Sequence, residues 1–487
     1  MTNLLMVIVD QMVSDAISSY RSIYQDSGWL CHYVETPNLD RMVREGVSFL
    51  RCESPNPVCG PARACLFTGR RTIENGVTQN GQYVDPSIPN LGQWLEANSN
   101  VRPFYCGKWH VGQVFPDVEG PRKIAGFQTL PVGGFATGDL IDPMISHAVC
   151  AFLRQDREKD PFFLVASLTD PHDVCYTTYV NQRIHDILMM EDDLFGINDH
   201  LPELPPNFAD HMNELYSNLP GHEASFYVDN QTRFGGDGDE WTIFPQPGIY
   251  SEKAWRYHMY NYCRMIERLD FRVGQMLDAI AAREDDTMVV FLADHGESLA
   301  RHGRINKWKG FEESSRVPLL FWKASGMDQP HQEHNIFVSL LDLVPTICDL
   351  WQIAPPPYMR GLSLLPLLSG RSDSLERDVL VGDFHENGRT VTGRNYKYVM
   401  KYRSVVPPPF AARYKLADTG ESEDFDPLHV DRYEKIPWQL LFNLEQDPWE
   451  QKNLYGTAGT EEITRWLQDR LHEAEVSLIP GKPGERR

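Results

Sequence analysis

Cys59, Pro61 and Arg63 form a compact unit within the run Pro57-Val58-Cys59-Gly60-Pro61-Ala62-Arg63-Ala64-Cys65-Leu66-Phe67-Thr68-Gly69. Pro61 has no N–H and fixes φ near the helical value, so it suits the first turn of a helix with Cys59 at or near the cap. Unsatisfied amides at such an end favour an anion, and Arg63 adds a planar fork of donors matched to sulfate or phosphate oxygens. The unit reads as an oxyanion site. The alternative is that Cys59 is a small buried apolar residue in a loop-to-helix turn.

Two acids sit where charge is expensive. Asp10 ends the apolar run Leu4-Leu5-Met6-Val7-Ile8-Val9, and Asp294 ends Thr287-Met288-Val289-Val290-Phe291-Leu292-Ala293. A carboxylate buried at a strand end needs a cation or hydrogen bonds to offset its desolvation. With Gln11 and His295 next in the chain, the pair makes an oxygen-dominated site for a divalent metal. Taken singly, each Asp reads equally well as a helix cap.

The run around Cys59 resembles the signature of the sulfatase family, in which the Cys of a Cys-x-Pro-x-Arg core is oxidised to formylglycine by a formylglycine-generating enzyme. Further segments match in order. Gly107-Lys108-Trp109-His110 is similar to the family's Gly-Lys-x-His, Asp170-Pro171-His172-Asp173 to the segment whose His serves the leaving group, and Asn306-Lys307 through Arg316-Val317-Pro318-Leu319 to the Lys-to-Arg-Val-Pro segment. Leu444-Glu445-Gln446-Asp447-Pro448-Trp449-Glu450-Gln451-Lys452-Asn453-Leu454 resembles the Asp-Pro-x-Glu-x-x-Asn-Leu turn near the end of many sulfatases.

The resemblance implies hydrolysis of a sulfate monoester by a hydrated formylglycine at position 59. Asp10, Gln11, Asp294, His295 and the modified residue would hold one divalent cation; calcium is favoured, with manganese the alternative. Arg63, Lys108 and Lys307 would hold the sulfate oxygens, His110 would act on the hydrate, and His172 would protonate the leaving oxygen. Two departures stand out: Asp10-Gln11 replaces the commoner pair of Asp residues, and Asp294-His295 replaces Asp-Asn. Similar replacements occur in the branch with choline sulfatases and phosphonate monoester hydrolases, and in assorted bacterial sulfatases, so a phosphonate or phosphate ester hydrolase is the alternative activity. A non-catalytic anion-binding protein of the same fold is the remaining class, opposed by the intact set of chemical residues.

The elements that position these residues follow an α/β rhythm. Apolar runs alternate with helical patterns, and polar residues follow the C-terminal ends of the runs, where parallel sheets place their ligand crevices. A long helix is expected from Ala254 to about Ala282, with Met259, Ile266, Leu269, Val273, Met276 and Ile280 on its packed face. The expected fold is an alkaline phosphatase-like, mainly parallel central sheet flanked by helices, with a smaller C-terminal antiparallel sheet plus helix. The domain reading is a catalytic part over 1–370, carrying a Pro-, Asn- and Gly-rich insertion over 181–248 as a wall of the substrate pocket, and an α+β subdomain over 371–487.

Composition bounds the partners. A formal net charge of −22 argues against nucleic acid or an anionic membrane surface, so any anionic substrate needs a local positive site. Nine scattered cysteines without a Cys-x-x-Cys pair indicate neither a disulfide framework nor a structural zinc. The first apolar run is too short for a membrane span or a signal-peptide core, which makes the cytoplasm the expected location, or the periplasm if an export signal has been removed. A carbohydrate sulfate is the leading substrate class: Asp173 is placed to accept a sugar hydroxyl or to cap its loop, and Tyr176, Tyr179, Phe226, Tyr227 and Trp241 could stack on a ring or enclose a small cation such as choline.

Overall fold

The computed structural model describes residues 2–26, 28–112, 124–133, 137–155, 161–177, 200–208, 252–303, 306–307, 310–384, 388–401 and 439–476. Its main sheet is built from β1 (Asn3–Asp10), β2 (Val47–Glu53), β3 (Arg102–Gly107), β4 (Gln128–Gly133), β5 (Phe162–Pro171), β6 (Thr287–Ala293), β7 (Arg316–Val317), β8 (Leu319–Lys323) and β9 (Gln332–Ser339). The strand order is β4-β3-β5-β1-β6-β8-β2-β7, with β9 pairing β2. Every pairing from β4 through β6 is parallel, whereas β8 runs antiparallel to β6.

The central strands read as continuous apolar runs because both of their faces are covered: all eight residues of β1 and all ten of β5 are buried. β7 and β8 behave as one strand interrupted at Pro318, which has no N–H to give to the ladder, so β7 pairs one end of β2 and β8 the other. The helices Gly138–Leu153 and Glu252–Ala281 pack on each other and on β5. The anticipated apolar face of the longer one is buried throughout. No helix among the described residues is long and apolar enough to cross a membrane.

A separate sheet of β10 (Leu380–Phe384), β11 (Gly388–Gly393), β12 (Tyr396–Lys401) and β13 (Gln439–Asn443) is antiparallel throughout. Its own small core forms where Val391, Tyr398 and Leu441 meet Leu467 and Leu471 of the helix Glu461–Val476. Buried polar contacts fasten this sheet to the main body. Lys397 Nζ donates to Glu312 Oε1 at 2.7 Å and Ser315 Oγ at 3.0 Å, and Glu450 of the Asp-Pro turn accepts from Glu312 N at 2.7 Å. Arg71 pairs with Asp383 across the same seam.

Parallel strands with a common polarity have their C-terminal ends on one edge, so Asp10, Gly107, Pro171 and Ala293 end neighbouring strands side by side. Gly107 makes that edge tight. Its φ is +103°, and a Cβ there would lie 2.0 Å from Ser167 O of β5. Gly107→Ala is therefore expected to lower the unfolding free energy by at least ~1–3 kcal/mol, measured by denaturant titration, through a strained φ and a forced separation of β3 from β5. An unchanged midpoint would contradict the close approach.

Candidate active site

The edge delivers the chemical residues in chain order. β1 ends at Asp10 and turns through Gln11 (φ +72°), β3 leads into Lys108 and His110 (φ +58°), β5 into His172, and β6 into Asp294 and His295. Beyond β2 the chain enters the helix Cys59–Thr68, whose residues are all buried. Pro61 sits in its first turn and Cys59 at its start, so the helix aims its amide end at the strand edge. Asn80 Oδ1 accepts from Gly60 N at 2.8 Å and steadies that end.

Cys59 Sγ is the point on which the site converges. His295 Nε2 lies 3.1 Å from it, Lys307 Nζ 3.0 Å and Asp10 Oδ1 3.5 Å. His110 and His172 also hydrogen-bond the Cys59 side chain. One ligand atom from each of Asp10, Cys59, Asp294 and His295 falls within 4.8 Å of the others, and all four residues are buried. His295 Nδ1 lies 2.9 Å from Gly296 O, a contact that places a proton on Nδ1 and aims Nε2 at Cys59.

Arg63 ties the acids together. Its Nε donates to Asp294 Oδ2 at 2.8 Å, its Nη2 to Asp10 Oδ2 at 3.1 Å, and its Nη1 to Lys108 O and Ser167 Oγ, both at 2.7 Å. Lys108 Nζ adds a second cation 2.7 Å from Asp10 Oδ2. Fully buried, the Arg63 fork thus faces protein acceptors instead of an open sulfate pocket, a difference from the role the resemblance gave it.

Electrostatics follow from packing these charges without water. Burial and Cys59 push the Asp10 carboxyl up, but Lys108, His172 and Lys307 outweigh them and hold it well below the usual carboxylate range. Asp294, raised by burial and by Asp10, rises to about 6. Burial pushes the Cys59 thiol up, yet Lys307, Lys108 and His295 overcome it and hold it well below its ordinary value. Burial, Lys307 and Lys108 push His172 down to about 4.

Two further residues from the sequence reading have specific partners. Gln11 Oε1 accepts from Lys307 Nζ at 2.5 Å, while Gln11 Nε2 donates to Glu297. Asp173, 6% exposed, accepts from Gly138 N at 2.6 Å through Oδ2, the loop-fixing use of that acid. Tyr176 lies in the short helix Val174–Thr177, whereas Tyr179, Phe226, Tyr227 and Trp241, with most of the 181–248 insertion, lie outside the described residues. Glu297, Asn80 and Ser167 were not anticipated; only Glu297 carried a signal, as a polar residue just beyond the end of β6.

The sulfatase family model matches residues 2–353, and that of the N-sulphoglucosamine sulphohydrolase C-terminal region matches residues 300–417. A Delta 4,5-hexuronate-2-O-sulfatase of Bacteroides thetaiotaomicron is 25% identical over 433 residues, covering 85% of this chain and 78% of the relative. An N-acetylglucosamine-6-O-sulfatase of the same organism is 22% identical, covering 99% and 88%. Among solved structures, the phosphonate monoester hydrolase of Agrobacterium radiobacter superposes with a TM-score of 0.72 at 17% identity, covering 98% of this chain and 96% of that one.

The bridging fork yields a stability test. Arg63→Met leaves Asp10 and Asp294 buried without their shared counter-charge, so unfolding free energy measured in chelator should fall by about 3–5 kcal/mol. Adding Asp294→Asn to that variant should return part of the loss, because a buried amide costs less than an unpaired carboxylate. Additive losses in the double variant would contradict the bridge.

Proposed function

The chain belongs to the sulfatase family, and on that premise we propose that it hydrolyses a carbohydrate sulfate monoester, with residue 59 in its formylglycine form beside one divalent cation. The observation that carries this reading is the convergence of Asp10, His295, Lys307, His110 and His172 on the single buried side chain of Cys59. Hydrated, a formylglycine supplies a geminal pair of hydroxyls, one to attack sulfur and one whose later deprotonation expels sulfate.

The donor set fits a cation. Asp10, Asp294 and His295 would hold it together with an oxygen of the modified residue 59, and Gln11 Oε1 stands beside them, bonded to the Lys307 ammonium that reaches Cys59 Sγ. Carboxylate oxygens favour calcium and the imidazole favours manganese; either would supply Lewis acidity toward a bound oxygen.

This chain's own residues carry the remaining work. Lys307 and Lys108 hold positive charge where sulfate oxygens gain negative charge, against a molecule whose overall charge is −22. His110, hydrogen-bonded to residue 59, takes a proton from it. His172 gives a proton to the departing oxygen. In the ligand-free chain the two lysines and burial keep His172 neutral at pH 7; an anionic ester bound between the lysines offsets their field and favours the imidazolium. The sugar-sulfatase names of the two relatives are the support for a saccharide leaving group.

Enzyme from a host with the modifying machinery should give a peptide in which the sulfur and two hydrogens of Cys59 are replaced by one oxygen, and Cys59→Ala should lose turnover while keeping its fold. An active preparation with only the thiol would contradict the mechanism. Matched aryl sulfate and aryl phosphonate esters separate this reading from phosphonate hydrolysis, which the Gln11 and His295 departures leave as the alternative; the sulfate should turn over faster. His172→Ala should slow sugar or alkyl sulfates by about 10²–10⁴-fold and a nitrophenyl sulfate far less, because only the poor leaving group needs the proton. Equal losses on both substrates would assign His172 to binding instead.

A further inference from the structure

Gln11 is the site residue whose function depends on which way round its side chain sits, because a half-turn of the amide exchanges an acceptor for a donor. Chemistry fixes the orientation. Lys307 Nζ can only donate, so the Gln11 atom 2.5 Å from it is Oε1. The opposite end, Nε2, then faces Glu297 Oε2 and, at 3.1 Å, Cys175 Sγ.

Glu297 is 1% exposed, and both of its oxygens are engaged by neighbours. Its Oε2 accepts from Gln11 Nε2, and its Oε1 accepts from the backbone N–H of Asn306, the residue immediately before Lys307. Asn306 has φ +66°. A single carboxylate therefore holds the Gln11 amide from behind and anchors the backbone from which Lys307 reaches Cys59 Sγ. The Gln11 main chain is fixed independently, with its N–H donating to Asp294 Oδ1 at 3.1 Å and its C=O accepting from Tyr262 OH at 2.7 Å. Rotation of the side-chain amide is the freedom that remains, and Glu297 removes it from one end as the Lys307 ammonium does from the other.

We propose that Glu297 is a positioning residue for the reaction, whose carboxylate keeps the Gln11 oxygen, and not its NH2, turned toward Lys307 and residue 59. The inference rests on the sulfatase reading of the site. An ionised carboxylate accepts at both oxygens and cannot donate, so it rewards only one amide orientation. An amide at 297 rewards either, and the flipped Gln11 would set an NH2 against the Lys307 ammonium and withdraw an oxygen from the cation group.

The test is an exchange of the two side chains. Glu297→Gln alone should lower kcat and cation affinity by about 10–100-fold, the usual range for losing a partner that orients a ligand. In the pair Gln11→Glu/Glu297→Gln, residue 11 presents an oxygen to Lys307 in either orientation, while residue 297 can still donate to residue 11 and accept from Asn306. The exchange should therefore recover most of both losses. Turnover of a nitrophenyl sulfate and competition of the enzyme with a chromophoric chelator for calcium and manganese read the two quantities separately. Wild-type kcat and cation affinity in Glu297→Gln, or a loss that the exchange leaves unrecovered, would overturn the proposal. If the single variant does not fold, the exchanged pair decides: a folded, cation-binding enzyme supports the inference, and an unfolded or cation-free one overturns it. The sulfatase reading fails separately, if wild-type protein carries neither a converted residue 59 nor a cation.

Discussion

Two carboxylates at the ends of neighbouring parallel strands, both without solvent exposure, are the constraint around which this molecule is arranged. Asp10 and Asp294 cannot be left at the edge of an apolar sheet without counter-charge, and the Arg63 guanidinium supplies it in one planar group that reaches both. That requirement brings the helix Cys59–Thr68 over the strand ends, because Arg63 lies one turn beyond its start. Placing Arg63 there also places Cys59 over the acids. The anion-favouring end of the helix, the thiol and the acids are thereby one construction held by one fork.

The same constraint explains the density of cations around residue 59. Lys108 answers Asp10 directly, and Lys307 stands between Cys59 and the Gln11 amide. In a buried environment these charges act on each other with little screening, and the site is poised for an anion that brings its own negative charge. The C-terminal sheet contributes at second hand. Lys397 and Glu450 grip Glu312, at the start of the turn that follows the Lys307 segment, so the smaller sheet braces the loop from outside.

Much of this was legible in the sequence because strand-end chemistry is local. The apolar runs before Asp10 and Asp294 announced the two acids, Pro61 announced the helix start, and the long helix read as Ala254 to Ala282 is observed over Glu252–Ala281. What escaped depends on partners distant in the chain. The direction of the Arg63 fork, the orientation of the Gln11 amide and the place of Glu297 behind it are fixed by residues more than two hundred positions away. β11 escaped because Gly388-Arg389-Thr390-Val391-Thr392-Gly393 has too few apolar residues to announce a strand, and β9 because Gln332-Glu333-His334-Asn335 is polar along its first half. Asp173 was left between two uses, and its Oδ2 serves the loop by accepting from Gly138 N.

In the proposed reaction the buried charges at the strand edge direct attack at sulfur and expel an alkoxide. Hydrolysis of a sugar sulfate in heavy-oxygen water tests it most directly, by locating the solvent oxygen in the products. Attack at sulfur breaks the bond between sulfur and the bridging oxygen, so the heavy atom should be found in the released sulfate, with the alcohol keeping the oxygen it had in the ester. Heavy oxygen in the alcohol would mean that carbon is attacked instead, and would contradict the assignment of Cys59, Lys307 and His172 to a transfer at sulfur.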